Sequence, residues 1–142
     1  MKIAKEFRWE MGHRLPLHDG ACKNLHGHSY RLVVEVEGEV NPETGMVIDF
    51  AEISAKVKPF LNELDHAFLC QDTDEEVREL LERMDLKRIY IPHPSTVENI
   101  CGMFIERLRP AFASEKQVDA FTVRIWETAS SVAEITENVK AG

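Results

Sequence analysis

The segment Cys22–His28 places one thiol and two imidazoles within seven residues. A stretch with alternating apolar and polar residues, Ser29 to Gly38, follows at once and predicts a β-strand. If the alternation extends backwards, His26 and His28 share a face, because side chains two residues apart in a strand point the same way. Gly27 leaves the opposite side free of a side chain. Two adjacent imidazoles can chelate one metal ion, and the pattern favours a catalytic zinc site with an open coordination position.

A third imidazole is available from the preceding strand. The predicted strand Ile3 to Met11 carries apolar residues on one parity, and His13 continues that parity. In an antiparallel pair the end of the first strand lies beside the start of the second, so we expect His13 beside His26 and His28. Three histidines leave one position for water or a substrate oxygen. His18 is a rival ligand, but its surroundings are typical of a solvated turn.

The thiol of Cys22 lies four residues before His26, in a polar loop. A nearby zinc ion and Lys23 would favour the thiolate, which suits a base or a nucleophile. Cys22 could instead be a fourth ligand that closes the site. Cys70 and Cys101 show no CxxC spacing with it, so free thiols in a reducing compartment are expected.

Two further segments carry carboxylates that could act in catalysis. Asp65 and His66 follow a predicted helix, where they could form a proton relay or complement the helix dipole. Glu127 directly follows an apolar strand, and its two oxygens could accept two N–H bonds from a ring. Glu98 is also interpretable as the third-position glutamate of a capping box that starts at Ser95.

The remaining periodicities predict an α+β domain. The expected strands are Ile3 to Met11, Ser29 to Glu37, Val118 to Trp126 and about Ser131 to Val139, with a brief strand-like piece at Lys87 to Ile91. The first expected helix starts at Asp49, the second runs from Asp74 to Met84 after a Thr73 cap, and the third runs from Ser95 to Pro110. Strands in pairs with helices between them predict an antiparallel four-stranded sheet with helices on one face.

Composition limits the possible functions. A chain of 142 residues with 44% hydrophobic and 30% charged residues predicts one globular domain over residues 1–142. The net charge of −8 argues against a nucleic-acid partner. We find neither an apolar run of about 20 residues that could span a membrane nor the apolar core of a signal peptide, and therefore expect a cytoplasmic protein.

Taken together, the motifs resemble one known family. They are His13, Cys22–His28, Gly45–Phe50, Leu64–His66, Ser95–Asn99 and Glu127–Thr128, in this order along nearly the whole chain. The chain is similar to the 6-pyruvoyl-tetrahydropterin synthase family, and above all to its bacterial and archaeal branch, the 6-carboxy-5,6,7,8-tetrahydropterin synthases of queuosine biosynthesis. Three residues separate Cys22 from His26, as in that branch.

The resemblance implies a fold, an assembly and a substrate. The implied fold is the T-fold (tunnelling fold), whose subunits form trimers that close a barrel, often doubled to hexamers, with sites at subunit interfaces. The implied substrate is 7,8-dihydroneopterin triphosphate. Against this family, the chain has an added helix and short strand over about Thr73 to Ile91.

The resemblance also implies residue roles. Zn²⁺ would be held by His13, His26 and His28. Cys22, the Asp65–His66 relay and the pterin-anchoring Glu127 would be catalytic. Further implied substrate contacts are Thr96 and Glu98, together with Arg14 and Lys23, whose positions suit the triphosphate.

The implied reaction is a zinc-dependent lyase reaction. It yields 6-carboxy-5,6,7,8-tetrahydropterin and releases acetaldehyde and triphosphate. One alternative is 6-pyruvoyl-tetrahydropterin synthase activity, in which triphosphate is eliminated and the three-carbon side chain is retained. Another is a non-enzymatic zinc or pterin binder built on the same fold.

Overall fold

A computed structural model of the chain describes residues 1–140 and contains one six-stranded sheet. The elements are β1 (Lys2–His13), β2 (His26–Gly38), α1 (Phe50–Leu64), β3 (Ala67–Gln71), α2 (Glu75–Arg83), β4 (Arg88–Ile91), α3 (Val97–Ala113), β5 (Val118–Thr128) and β6 (Ser131–Asn138). The strand order across the sheet is β4-β3-β1-β2-β5-β6.

The predicted antiparallel unit is present, but the sheet is larger than predicted. Strands β1, β2, β5 and β6 are antiparallel neighbours, whereas β3 and β4 extend the sheet beside β1 in parallel. The prediction of four strands is therefore wrong in number. β3 was missed because its five residues form a short apolar run without alternation, which periodicity cannot distinguish from buried helix.

The two faces of the sheet are covered by different helices. Helix α1 packs on β1, α3 packs on β5 and β6, and these two helices contact each other. Leu69 of β3 belongs to this main core, whereas its neighbour Cys70 packs with Val77 and Leu81 of α2. Because successive strand residues point to opposite faces, α2 lies on the face opposite α1 and α3. The prediction that the helices cover one face of the sheet therefore holds for α1 and α3 but not for α2.

Large aromatic residues fill the core beneath the end of β1. Trp9 and Tyr30, on facing strands, stack with ring centroids 4.6 Å apart, and Phe60 of α1 meets Phe104 of α3 at 4.8 Å. All four side chains are almost fully buried. This packing holds β1 and β2 rigidly where they carry the histidines.

The helix ends differ partly from the prediction. Asp49 caps α1 as expected, accepting the backbone N–H of Ala51 at 2.8 Å. Thr73 is not the cap of α2, because Asp74 occupies that position. Helix α3 continues past Pro110 to Ala113, since buried Phe112 packs against the sheet there.

No helix within residues 1–140 combines the length and the hydropathy that crossing a membrane requires.

Candidate functional site

Three histidines meet where β1 ends and β2 begins. His13, the last residue of β1, pairs with His26, the first residue of β2, and His28 lies two residues further along. Their ring centroids are 4.7, 5.1 and 4.9 Å apart. One ligand nitrogen from each ring lies within 4.8 Å of the other two. The structure therefore brings together the three residues that the sequence predicted as ligands, here called the three-histidine cluster.

The glycine between two of these histidines is required by strand packing. A Cβ at Gly27 would lie 3.0 Å from the carbonyl oxygen of Met11 on β1, closer than side chains normally approach backbone. A larger residue would need the Met11 backbone to shift by a few tenths of an ångström. The His-Gly-His sequence thus serves both the ligand spacing and the close approach of the two strands.

Two backbone carbonyls orient the imidazoles. Nδ1 of His13 lies 2.8 Å from the carbonyl oxygen of Ser95, and Nδ1 of His26 lies 2.7 Å from that of Asn24. A carbonyl only accepts hydrogen bonds, so each Nδ1 carries the proton and donates it. Nε2 of both rings is then the unprotonated nitrogen with a free lone pair. Metal-binding histidines are oriented by this type of second hydrogen bond.

The cluster has the properties of a metal-binding site. Nε2 of His13, His26 and His28 is buried and has no hydrogen-bond partner among the described residues. Burial, aided by the charges of the other two histidines, lowers the pKa of His13 to about 4. Burial also lowers the pKa of His28, although Glu127 opposes this. The lowered pKa values of His13 and His28 favour the neutral imidazole, which is the form that binds metals.

The spacing of the nitrogens also fits a small cation. Three ligand atoms within 4.8 Å of one another are close enough that one small cation could lie between them. A four-coordinate ion held by three histidines would keep one position open.

Cys22 lies in a single 3₁₀ turn over Ala21–Lys23 and is a half-buried free thiol. Its carbonyl oxygen accepts the backbone N–H of Leu15 at 2.8 Å, which ties this turn to the chain just after β1. Across residues 1–140, the metal-ligand cluster contains imidazoles and no thiol. The thiol of Cys22 is therefore not among the clustered ligand atoms of these residues.

The rival ligand His18 is exposed and belongs to a turn. Its Nδ1 accepts the backbone N–H of Gly20 at 2.8 Å. This position agrees with the expectation of a solvated turn.

Glu127 lies beside the cluster. One of its carboxylate oxygens is 3.7 Å from Nε2 of His28. Both residues line a cleft of about 540 Å³, together with Arg8, Arg31 and Trp126. A larger groove of about 950 Å³ lies between α1, α3 and β4, but it contains none of the predicted site residues. The smaller cleft is therefore the better candidate for the substrate site.

Asp65 and His66 form a pair on the other side of β1. Nδ1 of His66 lies 3.0 Å from the Asp65 carboxylate. That carboxylate also accepts the backbone N–H of Glu10 at 2.9 Å, and these two contacts lower the pKa of Asp65. The His66 side chain is 75% exposed, and its φ of 60° is unfavourable for a non-glycine residue. Such an outlier is common at functional sites.

The pair is separated from the three-histidine cluster within one chain. His26 and His28 lie on β2, whereas His66 precedes β3 on the opposite side of β1, the strand that ends in His13. The interpretation of His66 as a helix-dipole residue loses support, because it lies beyond the Asp65 C-cap of α1.

Thr96 and Glu98 begin α3. Thr96 is its N-cap and accepts the backbone N–H of Asn99 at 3.3 Å, and Glu98 is exposed in the first turn. The capping box predicted from Ser95 to Glu98 is wrong by one residue. Ser95 is instead fully buried, and its hydroxyl lies 3.2 Å from Nδ1 of His13. The sequence analysis missed this role because the local capping pattern offered a simpler explanation.

Arg14 and Lys23 lie in different settings. Lys23 is exposed. Arg14 makes two hydrogen bonds to Asp74, from Nε at 2.6 Å and from Nη2 at 2.5 Å. The contact of Arg14 with triphosphate stays a prediction. No pattern in the sequence indicated that Arg14 pairs with Asp74, which lies 60 residues away.

Solved structures of similar architecture identify the fold. The 6-pyruvoyl tetrahydropterin synthase of Plasmodium falciparum superposes with a TM-score of 0.77 at 20% identity, over 97% of this chain and 98% of that chain. The enzyme of that name from Caenorhabditis elegans gives 0.69 at 25% identity, over 97% and 96%. The protein is therefore an α+β T-fold protein that carries a three-histidine centre.

Sequence comparisons identify the family. The family model described as 6-pyruvoyl tetrahydropterin synthase matches residues 2–138. A protein of Haemophilus influenzae named "6-carboxy-5,6,7,8-tetrahydropterin synthase" is 37% identical over 96% of this chain and 99% of its own length. A protein of the same name from Aquifex aeolicus is 32% identical over 96% and 98%. The chain belongs to the 6-pyruvoyl tetrahydropterin synthase family and is an enzyme of this lyase type.

Proposed function

We propose that the chain is a zinc-dependent lyase that converts 7,8-dihydroneopterin triphosphate to 6-carboxy-5,6,7,8-tetrahydropterin, with release of acetaldehyde and triphosphate. The names of the relatives from H. influenzae and A. aeolicus support this choice of product. The observation that carries the proposal is the convergence of three buried, unpartnered Nε2 atoms on one point.

The proposed metal is Zn²⁺, held by His13, His26 and His28. Neutral imidazoles in a set of three with an open position are the usual ligands of catalytic zinc. Bound there, zinc would supply Lewis-acid polarisation of the hydroxyl groups on the substrate side chain. The carbonyls of Ser95 and Asn24 would keep the His13 and His26 rings aimed at it.

Glu127 would anchor the pterin ring. A carboxylate accepts two parallel N–H bonds, which matches the two donors on the edge of an aminopyrimidine. The 3.7 Å distance between the Glu127 carboxylate and Nε2 of His28 supports an anchor next to the proposed metal ligands. The reacting side chain of the pterin would then lie over the cluster.

Cys22 and His66 would move protons on the side-chain carbons. Cys22, as thiolate, would remove or return a proton on one side. Nδ1 of His66 lies 3.0 Å from the Asp65 carboxylate, which would hold the ring so that Nε2 exchanges a proton on the other side. Thr96, Glu98 and Lys23 stay predicted substrate contacts.

We further propose that the enzyme is a homo-oligomer, a trimer or a hexamer. In the described chain, residues 2–10 of β1 pair with β2 only, and β6 pairs with β5 only. Such open strand edges can pair with another copy. Because His66 is exposed on the far side of β1, assembly would bring it to a site formed with a neighbouring subunit.

Product analysis tests this proposal. The zinc-loaded protein is incubated with 7,8-dihydroneopterin triphosphate, and the products are identified by mass spectrometry. Acetaldehyde with a carboxylated pterin supports the proposed reaction. Triphosphate release with a retained three-carbon side chain supports the 6-pyruvoyl alternative, which the family description favours.

A cysteine variant separates catalysis from binding. Cys22→Ala should keep zinc and pterin binding but lose turnover, whereas the matched Cys70→Ala should keep turnover. Loss of zinc from Cys22→Ala would show that the thiol is a ligand. Bound zinc without turnover in the unaltered chain would support the non-enzymatic binder.

A further inference from the structure

The end of β1 is held from the face opposite the three-histidine cluster. His13 and Arg14 are successive residues, so their side chains leave the strand in opposite directions. His13 joins the cluster, whereas Arg14 reaches the N-terminus of α2 and binds Asp74 through two hydrogen bonds of 2.6 and 2.5 Å. The Asp74 residue is only 8% exposed. A buried bidentate pair of this kind fixes direction as well as distance.

The backbone of Arg14 is also connected to the functional groups. Its carbonyl oxygen accepts the hydroxyl of Ser95 at 3.3 Å, and the carbonyl of Ser95 orients Nδ1 of His13. The next residue, Leu15, donates its N–H to the carbonyl of Cys22 at 2.8 Å. Movement at Arg14 would therefore disturb both the His13 ring and the turn that carries the thiol.

Asp74 lies on a well-anchored segment. Its N–H donates to the carbonyl of Gln71 at the end of β3. Val77 and Leu81 of α2 pack against buried Cys70. Arg78 donates to the carbonyl of Asp72 at 3.0 Å. The segment that follows β3 is therefore a fixed support for the Asp74 carboxylate.

We propose that Asp74 is a positioning residue for the metal centre. Through Arg14 it holds the end of β1, so that His13 and the Cys22 turn keep the geometry that metal binding and catalysis need. This role gives helix α2 a function in the site, and it rests on the proposed function insofar as the cluster binds metal. Substitution of Asp74 would leave the half-buried guanidinium of Arg14 with the exposed Glu76, 3.6 Å from Nη2, as its remaining acidic neighbour.

Zinc affinity tests this role directly. The protein is prepared metal-free, and zinc affinity is measured by competition with a chelating dye, for the unaltered chain and for Asp74→Asn. We expect the zinc affinity of Asp74→Asn to be about tenfold lower than that of the unaltered chain. This is the lower end of the range for loss of a residue that supports the metal ligands without binding the metal. The alkylation rate of Cys22 in the metal-free protein should change as well, because its turn loses support.

A matched control removes a comparable ion pair elsewhere. Nε of Arg109 on α3 binds Glu137 on β6 at 2.6 Å, away from the cluster. Glu137→Gln should lower the melting temperature but leave zinc affinity and Cys22 alkylation unchanged. Arg14→Lys keeps the charge but loses the bidentate geometry, and it should give an intermediate zinc affinity. If Asp74→Asn does not fold, the zinc affinity of Arg14→Lys tests the proposal instead.

Defined results would overturn the proposal. Zinc affinity equal to that of the unaltered chain in Asp74→Asn, or in Arg14→Lys if only that variant folds, would remove the role. Unchanged zinc affinity with tighter binding of inorganic tripolyphosphate in Asp74→Asn would instead assign Arg14 to the anion. A lack of zinc binding in the unaltered chain would overturn the proposed function itself.

Discussion

Acid should destabilise the metal-free protein through His13. Burial, with smaller effects from His26 and His28, lowers the pKa of this residue from 6.5 to about 4 in the folded state. Between these values the unfolded chain binds a proton on His13 that the folded chain does not. The free energy of unfolding therefore rises with pH across this window. The contribution of His13 is fully present above about pH 6.5.

The size of the effect follows from the pKa difference. A shift of this size corresponds to about 3 kcal/mol, since one pKa unit is worth about 1.4 kcal/mol. We expect this contribution to be lost as the pH falls from about 7 to about 4. Other groups also titrate in this range, so the informative quantity is the difference between the unaltered chain and a His13→Gln variant.

Urea unfolding in the presence of a chelator measures this difference. Between about pH 7 and about pH 4, the free energy of unfolding should fall by about 3 kcal/mol more for the unaltered chain than for His13→Gln. Equal losses would refute the reasoning. The pKa of His13 can also be read directly from its imidazole NMR signals in the folded, metal-free protein, and a midpoint near 6.5 would contradict a buried neutral ring.

Three further predictions concern the site. His26→Ala should reduce bound zinc to well below one ion per chain, as measured by elemental analysis, and full retention would show that the ligand set is wrong. Glu127→Ala should weaken binding of a pterin by about 100-fold in a fluorescence titration, because two hydrogen bonds to a charged group are each worth about 1.5 kcal/mol; unchanged affinity would remove its role as anchor. In the native protein at about pH 8, iodoacetamide should modify half-buried Cys22 first, since burial raises the pKa of Cys70 and of Cys101 to about 11. Equal rates on mass spectrometry would contradict this order.

The grouping of the three histidines could be predicted because local rules suffice for it. Alternation places His26 and His28 on one face, and an antiparallel pair places His13 beside them. The observed register pairs His13 with His26 directly. The α1 cap at Asp49 followed from local sequence in the same way.

The helix α2 and the strand β4 were predicted from local sequence, whereas β3 and the face of the sheet that α2 covers were not. β3 is too short to show a period, and the side of the sheet that α2 covers depends on which residues of β3 meet it. Ser95 matched a helix cap locally, but its burial against His13 gave it another role. In each case a contact with a distant segment outweighed the local preference.

The sequence by itself therefore determined which side chains could bind a metal and on which face of their strands they lie, because steric repulsion in the backbone sets the two-residue period of a strand. The tertiary structure decided which groups orient and support those ligands. The carbonyl of Ser95 reaches His13 across 82 residues, and Asp74 reaches Arg14 across 60. Contacts at such separations form only when packing of the core brings the segments together, and no short-range pattern encodes them.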